Sequence, residues 1–143
     1  GWYLPTLYSL DLGEIVVAID TSGSIGHEQI CQFGAELSAI LDTLKPEKVY
    51  VVYCDTQVND DAVQEFTAAD LPLDLKPWGG GGTDFRPPFD WVERMGVTPQ
   101  CMIYFTDLYC NQFPEEPGYQ TFWACFHGDD EMEVPFGEKV IIE

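Results

Sequence analysis

Three oxygen-bearing side chains fall at alternate positions just where an apolar run stops. The stretch VVAIDTSGSIG sets Asp20, Ser22 and Ser24 after that run, with Gly23 and Gly26 around them. Two more polar residues stand at comparable places: Thr83 follows the glycine run in GGGGTDF, and Asp107 ends the run CMIYFTD. All five are hard oxygen donors, and neither His nor Cys is among them. Hard oxygens with few carboxylates suit Mg2+ or Mn2+, with waters completing an octahedron, rather than zinc. The glycine run allows close backbone approach and unusual dihedrals. The chemistry these types and spacings predict is cation binding on a tight turn.

Such residues need elements that carry them to one place. EIVVAID (14–20) is a continuous apolar run and reads as a strand covered on both faces. Between Gly26 and Leu44 the residues Ile30, Phe33, Leu37, Ile40, Leu41 and Leu44 recur at spacings of three and four. That period predicts an amphipathic helix against a sheet, with Ser24 as its N-cap and Pro46 helping to end it. KVYVVYCD (48–55) is a second strand, and AVQEF (62–66) an antiparallel edge strand. LPLDLKPWGGGG (71–82) is a loop. Pro87 and Pro88 fit only the first turn of a helix, which then runs to about Met95. CMIYFTD (101–107) is a third buried strand, 108–120 a loop, and TFWACFH (121–127) and EKVII (138–142) are the last strands.

Buried strands alternating with helices predict an α/β sheet, mostly parallel. Helices are few for so many strands, so one sheet face is expected to be thinly covered. In open α/β sheets ligands gather beyond the carboxyl ends of strands, where the strand order reverses. The five oxygen donors all belong at that edge.

The chain has 143 residues, 45% hydrophobic and 14% aromatic, enough for one domain with a real core. No apolar run approaches the ~20 residues of a membrane helix. GWYLPTLYSLDLG at the start has no basic region and no long apolar core, so it is not a signal peptide. With no initiating Met, the chain reads as one domain of a longer protein: residues 1–12 a linker from an upstream domain, 13–143 the domain. A net charge of −19, from 25 acids against 6 bases, excludes nucleic acid and anionic membrane surfaces as partners. It fits cations or a basic partner, although ordinary solubility accounts for most of the acids. Five cysteines, an odd number without CxxC, read as small reduced thiols in a cytoplasmic protein rather than a disulfide framework.

DTSGS, a later Thr after a glycine-rich loop and a later TD at a strand end resemble the von Willebrand factor A (VWA) domain family. Its metal ion-dependent adhesion site has the pattern Asp-x-Ser-x-Ser, Thr, Asp. The match falls on Asp20, Ser22, Ser24, Thr83 and Asp107, in the family's order, across nearly the whole chain. LGEIVVAIDTSGSI, GGGGTDF and PFGEKVIIE are especially similar to bacterial VWA-like domains. Those form the C-terminal part of predicted metal-dependent peptidases, often linked to MoxR-type AAA+ ATPases.

The resemblance implies a Rossmann-like fold with strand order 3-2-1-4-5-6. It implies Mg2+ as cofactor, with Mn2+ or Ca2+ able to substitute. Both serines and Thr83 would hold the cation directly or through water. Asp20 and Asp107 would act largely through water and neighbouring hydrogen bonds. A carboxylate from a protein partner would fill the open position, so the site is a binding device and not an enzyme. The partner would be a MoxR-type ATPase or the upstream domain of the same chain. Two departures stand out. Leu108 occupies the place where the family commonly has glycine, and 108–120 is too short and proline-rich for the usual helix.

Other readings are weaker. A metal-dependent phosphohydrolase on a doubly wound sheet would use Asp20 as nucleophile or ligand. However, no second carboxylate stands at position 22, and the glycine run lacks a P-loop lysine. A scaffold domain with a vestigial metal site is the other alternative. HEQIC (27–31) resembles the zincin HExxH with Cys31 in place of the second His, but no third ligand is near and it reads as coincidence. His127 with Asp129 and Asp130 reads as a solvated loop, Asp55 and Thr56 as a turn, and Arg86 as a surface salt bridge. Trp78, Phe85, Tyr109 and Phe113 flank the site, and aromatics there fit an interface.

Overall fold

The computed structural model describes residues 13–126 and 133–142. The proposed linker at 1–12 and the His127–Asp130 stretch lie outside the described residues. Six strands form one sheet: β1 (Glu14–Asp20), β2 (Lys48–Cys54), β3 (Gln64–Phe66), β4 (Cys101–Phe105), β5 (Gln120–Phe126) and β6 (Glu138–Ile142). Their order is β3-β2-β1-β4-β5-β6. Every pairing is parallel except β2 with β3. Two α-helices, α1 (His27–Leu44) and α2 (Arg86–Met95), accompany the sheet among the described residues. This is the mostly parallel α/β architecture the sequence predicts, with the expected strand order, antiparallel edge and low helix content.

Each central strand is apolar on both sides because each face is covered. Ile15, Val17 and Ile19 of β1 turn to one face, where Ile30, Phe33, Leu37 and Leu41 of α1 pack against them. Phe33 stacks on Phe105 of β4 with ring centroids 4.5 Å apart. Val16 and Ala18 turn to the other face, with Tyr104 of β4 and Trp123 of β5.

That second face corrects the expectation of thin covering. Its one helix has ten residues, and aromatic side chains fill the rest. Phe85, Phe113 and Phe136 surround Trp123 at centroid distances of 5.4, 5.4 and 5.8 Å, and Trp123 is fully buried. Its indole N–H donates to the Phe136 carbonyl at 3.0 Å, so the polar edge of the ring is satisfied too. The segment after β4 forms no helix, as the prolines predict, yet it contributes Phe113 and Leu108 to this core.

A second correction concerns Ser24. The helix begins at His27, and Gly26 is its N-cap, with the Gly26 amide donating to Gln29 Oε1 at 2.8 Å. The Ser24 hydroxyl is used elsewhere.

Candidate metal centre

β1 is flanked by β2 on one side and β4 on the other. The chain leaves β1 for β2 through α1 and later returns to the opposite side at β4, so the order reverses beside β1. The crevice at the carboxyl end of these strands is where an open α/β sheet offers a ligand site. Asp20 pairs with Cys54 at the end of β1, and Ile19 with Phe105 at the end of β4. Thr106 and Asp107 follow directly.

Asp20 is fully buried. Its Oδ1 accepts the Ser22 amide at 2.8 Å, and its Oδ2 accepts the Thr106 hydroxyl at 2.6 Å. Ser22 and Ser24 bring their hydroxyl oxygens within 3.1 Å of each other. Ser24 donates to Asp107 Oδ2 at 2.5 Å, and Asp107 Oδ1 accepts the Tyr109 amide at 3.2 Å. Hydrogen bonds thus join four of the five residues that the sequence singles out. Asp107 is 6% exposed, while Ser24 lies open to solvent.

Thr83 arrives on the glycine loop and makes no hydrogen bond to those four. The loop itself is fastened to the same edge. Gly23 donates to the Gly81 carbonyl at 3.0 Å, and Thr21 to the Trp78 carbonyl at 2.7 Å. Asp55 Oδ2 accepts the Gly81 amide at 3.2 Å, and the Asp55 carbonyl accepts the Asp84 amide at 2.9 Å. Asp55 therefore fills the turn role read for it and also anchors the loop. Cys110 Sγ approaches the Thr83 carbonyl at 3.5 Å, so the segment after Asp107 borders Thr83 as well.

Leu108 adopts φ 64°, the left-handed conformation that glycine favours. That backbone costs a leucine about 1–2 kcal/mol. The side chain is 1% exposed and packs in the second core, and such burial returns roughly 1.5–3 kcal/mol. The turn keeps a glycine-like path without a glycine.

Burial pushes the Asp20 carboxyl above its ordinary range. The hydrogen bonds from Thr106 and Ser22 oppose that shift, and the Asp107 charge adds to it. No basic side chain is among the groups that shift Asp20. Arg86 forks onto Asp84 at 3.0 and 2.8 Å, the surface salt bridge expected of it. Arg94 pairs with Asp60, and Lys48 with Glu65. Two desolvated carboxylates without a counter-charge are costly unless a cation joins them.

The donor set fits a hard divalent ion: two carboxylates and three hydroxyls, with solvent reaching it at Ser24. Among the described residues no three His, Cys, Asp or Glu side chains cluster as metal ligands, and this set has only two. His27 and Cys31 face each other on the exposed side of α1 with Nε2 and Sγ 3.5 Å apart, without a third ligand among the described residues. Of the flanking aromatics, Phe85 is fully buried, and Trp78 and Phe113 pack against the cores. Tyr109, 61% exposed, is the one of the four that faces solvent.

Sequence reasoning overlooks Thr106 and Thr21. Both are buried threonines, and their parts depend on contacts with distant segments.

The mostly parallel sheet of order β3-β2-β1-β4-β5-β6 is a doubly wound α/β fold, with the Asp20, Ser22, Ser24 and Asp107 cluster at its switch point. The profile of the family described as VWA-like domain (DUF2201) matches residues 15–143, and the chain belongs to that family. It is 31% identical over 105 residues to an uncharacterized protein of Thermotoga maritima. That match takes in 73% of this chain and 25% of the relative, so the chain spans about a quarter of that protein's length. Among solved structures it is similar to the conserved hypothetical protein BatB of Bacteroides thetaiotaomicron, at TM-score 0.58 and 18% identity, over 80% of this chain and 66% of that one. An aerotolerance-related membrane protein of Bacteroides fragilis gives TM-score 0.55 and 16% identity, over 79% and 67%. At these identities the two structures speak for the fold alone.

Proposed function

We propose that this domain is a divalent-metal-dependent protein-binding module. Asp20, Ser22, Ser24, Thr83 and Asp107 would hold Mg2+, or Mn2+ or Ca2+ in its place, and the ion would capture a carboxylate from a partner protein. One observation carries the reading: the hydrogen-bonded run Ser22–Ser24–Asp107 lies beside buried Asp20 at the sheet's switch point. When bound, the cation supplies positive charge and an open coordination position. Asp20 and Asp107 would supply the compensating charge, and the hydroxyls of Ser22, Ser24 and Thr83 would offer lone pairs to the ion. On a chain of net charge −19 an acidic side chain is repelled unless a cation bridges it, so binding would be strictly metal-dependent.

The module binds and does not catalyse on this reading. On it, the carboxylates that accept the hydroxyls of Ser24 and Thr106 serve to hold those hydroxyls for the ion. The partner would be a MoxR-type AAA+ ATPase or another domain of the same protein. The much greater length of the Thermotoga maritima relative supports the second possibility. Five free thiols fit a cytoplasmic setting.

A thermal-shift titration with Mg2+, Mn2+ and Ca2+ on wild type and Asp107→Ala tests the reading. A ligand of the folded state raises the melting temperature with its concentration. A rise in wild type that the variant lacks supports the site. No rise at millimolar metal would sink it and leave a scaffold domain.

A further inference from the structure

The hydrogen bonds around the candidate site close into a ring. Asp20 Oδ1 holds the Ser22 amide, Ser22 meets Ser24, and Ser24 donates to Asp107 Oδ2. The backbone then runs back one residue to Thr106, whose hydroxyl donates to Asp20 Oδ2 at 2.6 Å. The same hydroxyl accepts the Leu108 amide at 3.0 Å. Thr106 is 1% exposed, so it closes the ring on its buried side, next to fully buried Asp20. A hydroxyl can donate once and accept as well, and here one hydroxyl does both. It donates to the carboxylate that ends β1 and accepts from the turn that bears Asp107.

Leu108 fixes the other side of that turn. Its φ of 64° sends the peptide along a path that leucine rarely takes. Its side chain enters the aromatic core on the sheet's second face and is 1% exposed. A glycine there would reach the same φ freely but would have nothing to insert.

We propose that Thr106 is a positioning residue, and that Thr106 and Leu108 form a latch that presets the Asp20 and Asp107 carboxylates before any ligand arrives. The latch is a property of the chain alone, and its bearing on cation affinity rests on the binding reading above. Site geometry on this proposal is set by the chain's own bonds at the turn after β4 rather than by the cation. Thr106→Val keeps the shape and removes both hydrogen bonds, leaving the Leu108 amide without a partner. Thr106→Ser keeps both. Leu108→Gly keeps the hydroxyl and removes the anchor.

The test is amide hydrogen exchange at position 108 in the metal-free protein, with Mg2+ affinity measured by calorimetry on the same chains. Losing a buried hydrogen bond to a charged group is expected to speed exchange at 108 and weaken Mg2+ about tenfold in Thr106→Val. Thr106→Ser returns both close to wild type, and Leu108→Gly speeds exchange at 108. Wild-type exchange at 108 in Thr106→Val, or a serine variant that behaves like valine, would overturn the latch. If Thr106→Val does not fold, Leu108→Gly decides: unchanged exchange there overturns the proposal equally. If wild type binds no Mg2+ but exchange follows the expected pattern, the cation reading fails and the latch stands. If Mg2+ binds and Thr106→Val matches wild type in both measurements, the latch fails and the cation reading stands.

Discussion

Gly79 lies so close to Thr21 that a β-carbon built on it would stand 2.2 Å from the Thr21 hydroxyl oxygen. That hydroxyl donates to the Trp78 carbonyl, and two residues further on Gly23 donates to Gly81. The turn after β1 and the glycine loop are thus joined at two points, and the loop is held where Thr83 must emerge.

Gly79 and its neighbour separate contact from backbone strain. Gly79 and Gly80 have φ values of 128° and 127°, but only Gly79 has atoms in the way. Gly80→Ala is expected to cost roughly 1–2 kcal/mol from backbone strain alone. Gly79→Ala adds the collision with Thr21, so its cost should exceed that of Gly80→Ala by about 1–2 kcal/mol. Urea unfolding of both variants checks this, and equal costs would refute the Thr21 contact.

Most of the fold is legible in the sequence because the strands are apolar on both faces, a pattern that few other elements share. EIVVAID and EKVII read directly as β1 and β6. Asp20, Ser22, Ser24 and Asp107 are legible from their spacing at strand ends. Three things are not. Ser24 has the chemistry of a helix cap, but its bond to Asp107 is long-range, and Gly26 caps the helix instead. Thr106 looks like any strand threonine until β1 and β4 are known to be neighbours. The aromatic covering of the second face comes partly from a loop without periodicity, where Phe113 finds Phe85 and Trp123 only through the tertiary fold.

Asp20 should make the metal-free chain less stable as pH rises. Burial raises its folded carboxyl pKa above 3.8, while the unfolded chain titrates near that value. In the window between the two values the folded state holds the proton and the unfolded state does not. Stability present below 3.8 is therefore lost as pH rises through the folded pKa. Asp20→Asn removes this dependence. The difference between variant and wild type should move in the variant's favour as pH rises from the acid side, then level off. Denaturant unfolding across that range measures it, and a difference independent of pH would contradict the burial assignment. If the site binds Mg2+ as proposed, millimolar Mg2+ stabilises wild type and leaves the Asn variant unchanged.

Two serines separate stability from cation binding. Ser38 is buried and donates to the Gly34 carbonyl at 2.7 Å while accepting the Leu73 amide at 2.9 Å. Ser38→Ala is expected to cost about 1–2 kcal/mol and to leave a Mg2+-induced melting shift intact. Ser24 is exposed, so water replaces its hydrogen bonds, and Ser24→Ala should cost only about 0.5–1 kcal/mol in the metal-free chain. On the proposed reading it also removes most of the Mg2+ shift. Melting curves of both variants, with and without Mg2+, provide the comparison.

The alkaline limit of stability should report on the strap that leads into the glycine loop. Tyr53 donates its hydroxyl hydrogen to Gln64 Oε1 and accepts the Lys76 amide at 2.8 Å. Burial raises this phenol from 10.0 to about 12, with the Asp74 charge adding to the shift and the Lys76 bond opposing it. The unfolded phenol ionises first, so stability that is full below 10.0 is lost as pH rises toward about 12. Tyr53→Phe cannot ionise and should flatten that limb. Tyr104, Tyr119, Cys54 and Cys101, all raised by burial, maintain the remaining slope. At neutral pH the same variant removes one acceptor from the Lys76 amide, which retains Gln64 Oε1 at 3.0 Å, so the cost should be about 1 kcal/mol. Unfolding free energies of wild type and Tyr53→Phe through the alkaline range test both statements. A limb of unchanged slope would mean that the Tyr53 phenol ionises alike in both states and would contradict its burial.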